Sequence, residues 1–254
     1  MRQRFMALLL ALLALGAAEA GTVRIITFNI HHAEGDDNKV DLDRIARVIT
    51  AAQPDIVCLQ EIDRNLPRTQ HLDFPAILAE KLKMTAVFEP NYRFDGGEYG
   101  NAIFTPHKVL GRKNHALPNP NNAEPRGCLE VQISVGERTL TVFNTHLGLK
   151  APEREAQAAA ILNLLPCGPH LLAGDLNEVP EGKPLQMLLT KLTDTFAAST
   201  TGPAKTFSTT VLARRIDYIL TSPGITTRAS RIINDIEAAT ASDHLPYTVE
   251  IELP

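Results

Sequence analysis

Tryptophan is absent from the chain, tyrosine occurs four times, and aromatic residues make up only 5% of the sequence. A chain this poor in flat rings, with no cationic cluster beyond Arg214-Arg215, lacks the footprint of a protein that grips duplex nucleic acid. Cysteine is also scarce, with three copies. An odd count in an exported chain leaves at least one thiol unpaired or paired between chains. Cys58 sits in the apolar run Ile56 to Leu59 and reads as packing. Whether Cys128 and Cys167 pair is left open by the sequence. No Pro/Gly/Ser-rich linker divides the chain, which argues against two separate domains.

The long apolar run that is present lies at the very start. Met1 to Arg4 is basic, Phe5 to Leu15 is almost wholly apolar, and Ala18-Glu19-Ala20 supplies a small-x-small pattern. That is the shape of a signal peptide, and the run falls short of the roughly 20 residues of a membrane span. The expectation is a leader over residues 1–20, cleavage before Gly21 and a periplasmic or secreted mature domain of residues 21–254, with a retained anchor helix as the alternative. No cysteine follows the run to carry a lipid. Of the 25 basic and 29 acidic side chains, removal of Arg2, Arg4 and Glu19 leaves 23 and 28, a net charge of −5 with histidine neutral. Such a surface is not built to attract polyanions.

Short apolar runs at 23–28, 56–59, 102–104, 129–135, 140–143, 171–173, 216–220 and 247–251 read as strands. Three-and-four spacing over Leu42, Ile45, Ala46 and Ile49, over Ala76, Ala79 and Leu82, and over Ala156, Ala160 and Leu164 predicts helices that cover sheet faces. A hairpin is expected across Gly136-Glu137-Arg138. The stretch from Lys113 to Pro125, with three prolines and four asparagines, reads as irregular throughout. The result is an α+β chain rich in sheet.

Several of these strands end in groups that bind metal or phosphate. Asn29 ends RIITFN, Glu61 ends DIVCLQE, His146 ends TLTVFNTH, and Asp175 and Asn177 end HLLAGDLN. Arg215-Ile216-Asp217-Tyr218 and Ser242-Asp243-His244 follow near the C-terminus. Any one of these is an ordinary turn residue. Four such ends in one chain point to one rim of a sheet, where loops converge to make a site.

In this order the elements TFNIHH (27–32), LQE (59–61), GEYGNAIF (97–104), PRG (125–127), NTHL (144–147), GDLN (174–177), RRIDYI (214–219) and SDHLP (242–246) resemble the endonuclease/exonuclease/phosphatase superfamily. The resemblance spans residues 22–252. It implies a four-layered α/β sandwich, two packed mixed β-sheets flanked by helices, and a divalent-metal hydrolase of phosphoester bonds.

The residue chemistry is compatible with that implication. Glu61 is a hard oxygen ligand suited to Mg²⁺ or Mn²⁺. Asn29 would support the ion or a phosphate oxygen, and Asp243 would serve a second ion. Asp175 and Asn177 would orient the attacking water, as the family's Asp-x-Asn element does. Asp217 and His244 form an oriented acid/base pair, and His146 would donate to charge developing on the phosphoryl group. Arg126 reads either as a phosphate clamp or as a surface ion pair. His31 shares the face of Asn29 if the strand continues and is a loop histidine otherwise. Glu98 falls where some family nucleases pair a carboxylate with the counterpart of His146, and reads otherwise as an exposed loop residue. The expected substrate is a small phosphodiester or phosphomonoester, such as a lipid headgroup or inositol phosphate. A secreted nuclease and a non-catalytic phosphate-binding module are the alternatives.

Overall fold

The computed structural model describes residues 22–198, 205–207 and 214–254. The expected leader and its cleavage point lie outside the described residues. Among the described residues, twelve strands are arranged as two six-stranded sheets. The first holds β1 (Thr22–Asn29), β2 (Ile56–Arg64), β3 (Thr85–Phe94), β4 (Gly97–Thr105), β11 (Thr226–Ile232) and β12 (Tyr247–Glu252), in the order β11-β12-β1-β2-β4-β3. The second holds β5 (Lys108–Ala116), β6 (Gly127–Val135), β7 (Arg138–His146), β8 (His170–Asp175), β9 (Thr193–Asp194) and β10 (Asp217–Thr221), in the order β5-β6-β7-β8-β10-β9. Both are mixed: β1–β2 and β7–β8 are parallel and the other pairs antiparallel.

Alternation along the strands makes the layers, since successive side chains point to opposite faces. Val23 and Ile25 of β1 and Cys58 of β2 meet Val142 of β7, Ala173 of β8 and Ile219 of β10 in a core between the sheets. The opposite parity, Ile26, Phe28, Val57 and Leu59, packs under α1 (Leu42–Ala51), α2 (Phe74–Leu82) and α5 (Ile236–Ala241). Phe143, Leu172, Tyr218 and Leu220 pack under α3 (Ala151–Leu162) and α4 (Lys183–Leu188). The result is the four-layered sandwich that the resemblance implied. Asp41, Asp73 and Asp235 start α1, α2 and α5 by accepting a backbone N–H three residues on, at 2.8, 3.0 and 2.9 Å. No helix among the described residues is long and apolar enough to cross a membrane.

Two local expectations change, and one open question closes. Lys113 to Ala116 is not irregular but the end of β5, paired with Gly127 to Glu130 of β6; the irregular part begins at Leu117. The β6–β7 turn is shorter than expected, because Arg138 already pairs with Val135 and Gly136 takes φ +58°. Cys128 is buried, Cys167 is exposed, and neither is bonded to the other.

Candidate active site at the rim between the sheets

The inter-sheet face is apolar along most of its length and turns polar at one rim. Continuing the parity of Val23 and Ile25 brings Thr27 and Asn29 inward, and continuing that of Ile56 and Cys58 brings Gln60. On the other sheet the same step brings Asn144 and His146 from β7 and Asp175 from β8. Asp217 joins them because β10 runs antiparallel to β8, with Asp217 opposite Asp175. Directly beneath the site, Gln60 donates to Asn144 Oδ1 (2.7 Å) and Thr27 Oγ1 (3.1 Å), and Asn144 donates to the carbonyls of Leu59 and Ala102 (2.8 and 2.9 Å). These buried amides bridge the sheets where the oily layer ends.

Glu61 reaches the rim through a break in β2. Simple alternation would turn it toward the helices with Val57 and Leu59. A bulge between Leu59 and Ile62 inserts one residue, with Glu61 at φ +61°. Ile62 thereby returns to the helix-facing core and Glu61 is released toward Asn29.

Asn29 links the two carboxylates of the rim. Its amide nitrogen donates to Glu61 Oε1 (2.9 Å) and Asp175 Oδ2 (3.0 Å), while its oxygen accepts from His31 N (3.0 Å). Asn29 thus acts as a donor to both carboxylates, while its oxygen keeps a second lone pair beyond the bond from His31. The strand stops at Asn29, so the same-face reading of His31 fails. His31 opens a left-handed turn at φ +45°, and its ring nitrogen lies 3.2 Å from the Glu34 carbonyl.

His146 and His244 face the same carboxylate oxygen. The Nε2 atoms lie 3.4 and 3.6 Å from Asp175 Oδ2. Arg126 Nη1 donates to His146 Nδ1 at 3.0 Å. Burial first, then the charges of Arg126 and His244, hold His146 well below the usual imidazole range, so it is neutral. For His244, burial is the largest influence and opposes the cation. Asp217, Asp175 and Asp243 together outweigh it and push the ring up to about 10. Its Nδ1–H donates to Asp217 Oδ2 at 2.9 Å. Asp175 is pushed up to about 7, mainly by burial, with Asp217 adding to the rise and His244 opposing it.

Asn177, at φ +49°, binds its own backbone N–H to Asp175 Oδ1 (2.8 Å) and places its side-chain amide 3.0 Å from His146 Nε2. Asp243 is half-buried, 4.0 Å from His244 Nε2. Arg126 is buried and is no surface ion pair, although it also contacts Glu124 at 2.8 Å. Glu98 does not approach His146: it is held by Arg64 and by Arg93 (3.0 Å).

Thr206 and Ser242 were not singled out by pattern, yet they set the frame. Thr206 Oγ1 accepts from the backbone of Ile216 and Asp217 (3.1 and 3.2 Å), and its carbonyl accepts from Leu245 N (2.7 Å). Ser242 donates to the Asn29 carbonyl (2.8 Å) and accepts from His244 N (3.2 Å). Hydroxyl residues in loops carry no sequence signal that separates such anchors from solvent-facing ones.

Asp175, Asp217 and His244 offer ligand atoms within 4.8 Å of one another, and Asp217 Oδ1 is buried without a partner among the described residues. With Glu61 sharing the Asn29 amide, the rim concentrates hard oxygen donors whose mutual repulsion a divalent cation would relieve. The donor set fits Mg²⁺ or Mn²⁺.

The Endonuclease/Exonuclease/phosphatase family pattern matches residues 26–244. An endonuclease/exonuclease/phosphatase from Beutenbergia cavernae DSM 12333 superposes with a TM-score of 0.80 at 27% identity, covering 91% of this chain and 72% of that one. The Bacteroides thetaiotaomicron mannosyl-6-phosphatase Bt3783 gives 0.76 at 19% identity (90% and 99% covered), and the human Nocturnin catalytic domain with bound sulfate gives 0.73 at 20% (92% and 95%). A search of curated protein sequences returns no match. With the pattern running from β1 through His244 and the sandwich shared with these structures, the chain belongs to the endonuclease/exonuclease/phosphatase family of hydrolases.

Proposed function

We propose that this chain is an exported, divalent-metal-dependent hydrolase of small phosphoesters. The observation that carries the reading is the pair of imidazoles around Asp175 Oδ2, one held cationic and the other neutral. Groups whose environments push their protonation states apart mark an acid/base site.

Glu61 would hold the ion, with Asn29 fixing its carboxylate, and Asp243 would serve a second ion. When bound, Mg²⁺ or Mn²⁺ would neutralise the phosphoryl oxygens and align the ester for in-line attack. Asp175, raised by burial, is the group suited to accept the proton of an attacking water, with Asn177 holding its carboxylate through the backbone. His146, neutral, turns Nε2 toward the same place and, with the proton on that atom, would donate to charge that develops on the phosphoryl group without needing to be ionised. His244, cationic and oriented by Asp217, stabilises that charge from the other side.

Export rests on the leader pattern of residues 1–20. The mass of the protein recovered outside the cytoplasm should begin at Gly21, and a species retaining Met1 would overturn that part. The test of activity is hydrolysis of a chromogenic phosphodiester and a phosphomonoester by the mature chain, with added Mg²⁺ and with chelator. Turnover should require the ion and be lost in a folded Glu61→Gln variant. Full activity in chelator would end the metal mechanism, and no turnover across a phosphoester panel would favour a phosphate-binding module.

A further inference from the structure

Beside the catalytic rim lies a second cluster that the chemistry above does not use. Asp63 follows Glu61 by two residues and is fully buried. A buried carboxylate is costly unless paired. Arg68 supplies the pair through Nε and Nη2, at 2.8 and 2.7 Å, and Thr69 adds a third bond at 3.1 Å. This clamp fixes an arginine whose side chain is still 40% exposed, and whose Nη1 is not taken up by the carboxylate. The guanidinium lies over the rings of Phe94 (5.7 Å) and Tyr99 (5.3 Å).

Tyr99 stands opposite Asp63 in the β2–β4 ladder and continues the inward parity of Ile103 and Asn101 toward the rim. It is 7% exposed. Its hydroxyl has no hydrogen-bond partner among the described residues, although Glu61, Glu124, Arg126 and Arg68 all act on it electrostatically. A nearly buried phenol normally finds a partner. Here it is left with one donor and free lone pairs, beside a fixed arginine and within the electrostatic reach of the candidate metal ligand Glu61.

We propose that Tyr99 and Arg68 form a specificity subsite that receives a polyhydroxylated ring, such as that of a sugar or cyclitol phosphate, on the ester side of the scissile group. The inference rests on the phosphoesterase reading. Hydroxyl groups on a ring offer both donors and acceptors. The Tyr99 hydroxyl can meet either, and the Arg68 Nη1 hydrogens meet the acceptors.

The test compares wild type with Tyr99→Phe, which keeps the ring and hence the packing. Substrates are glycerol 3-phosphate, glucose 6-phosphate, a soluble inositol phosphate and vesicles containing phosphatidylinositol; the last two separate a free ring from a lipid-borne one. Loss of the hydroxyl should lower kcat/KM on whichever ring substrate is turned over by about tenfold, chiefly through KM, as expected for hydrogen bonding at a site built for it. Glycerol 3-phosphate should change by less than twofold. Equal losses on ring and ring-free substrates, or no loss on either, would overturn the subsite. Binding gives an independent readout, since without tryptophan the emission comes from the four tyrosines. Glucose 6-phosphate or the inositol phosphate should perturb wild-type emission and not that of Tyr99→Phe. Ring binding without hydrolysis would uphold the subsite and reject the phosphoesterase reading, whereas hydrolysis with no ring preference would do the reverse.

Discussion

His244 makes two contacts with different consequences. The 2.9 Å bond to Asp217 fixes the orientation of the ring, and the carboxylates of Asp217 and Asp175 keep it charged beside the reacting group. His244→Ala should therefore lower kcat by ~10² to 10⁴, the range for losing a positioned proton-transfer or charge-stabilising group; an unchanged rate in a folded variant would reject the role. Asp217→Asn should cost less if Asp217 only orients the ring, and a larger loss would mean that its unpartnered Oδ1 touches water or ion directly. The same contacts link pH to stability. The proton on His244 is bound near pH 10 in the folded chain and at 6.5 in an ordinary environment. Its stabilisation is complete below about pH 6.5 and is lost as pH rises through about 10. The Tm difference between wild type and His244→Gln, measured in chelator, should shrink across that window, and a flat difference would disprove the linkage. At this scale the polar strand ends were legible because Asn29, His146 and Asp175 close apolar runs. Glu124, Thr206 and Tyr99 were not, since a loop carboxylate, a loop hydroxyl and a tyrosine in a short run gain meaning only from what the fold places beside them.

β7 and β8 approach closely where Thr145 pairs with Gly174. Gly174 has φ +143°, and a Cβ there would stand 1.9 Å from the Thr145 carbonyl oxygen. Gly174→Ala is thus strained in conformation and in space at once, and it immediately precedes Asp175. We expect a loss of about 3 kcal/mol or more, a Tm fall of roughly 6–12 °C for a chain of this size, and a drop in kcat in whatever fraction stays folded; a Tm within 2 °C of wild type, by roughly the same scaling, would refute this. Central strands could be read from sequence because they are buried on both faces and so appear as apolar runs. β3, β5 and β11 could not. They lie at sheet edges, with side chains that are largely exposed or half-buried, and their composition follows solvent rather than core. α4 and α5 have six residues each, too few turns to display a helical period. The bulge at Glu61 was hidden for a related reason: one inserted residue changes which face every later side chain occupies without altering composition.

For the molecule as a whole, the net charge of −5 over residues 21–254, with histidine neutral, sets what it can attract. A protein that neutralises several DNA phosphates loses affinity with salt at a slope near −0.9 per contact. Plasmid DNA should accordingly be a poor substrate beside small phosphoesters, and turnover of the small substrates should vary only weakly with ionic strength. Faster cleavage of DNA with a steep salt slope would reverse the ranking and make the chain a nuclease. The order of the motifs conveyed the sandwich, but not that the reacting groups are divided between its halves. Asn29, Glu61 and His244 belong to or follow strands of one sheet, and His146, Asp175 and Asp217 to the other. The amide bridge of Gln60 and Asn144 is therefore a hinge-pin under the chemistry, and turnover becomes a gauge of how well the two halves are mated. In mild denaturant the rate should fall before far-ultraviolet circular dichroism does, because a slip of about an ångström between intact sheets is enough to misalign His244 from Asp175.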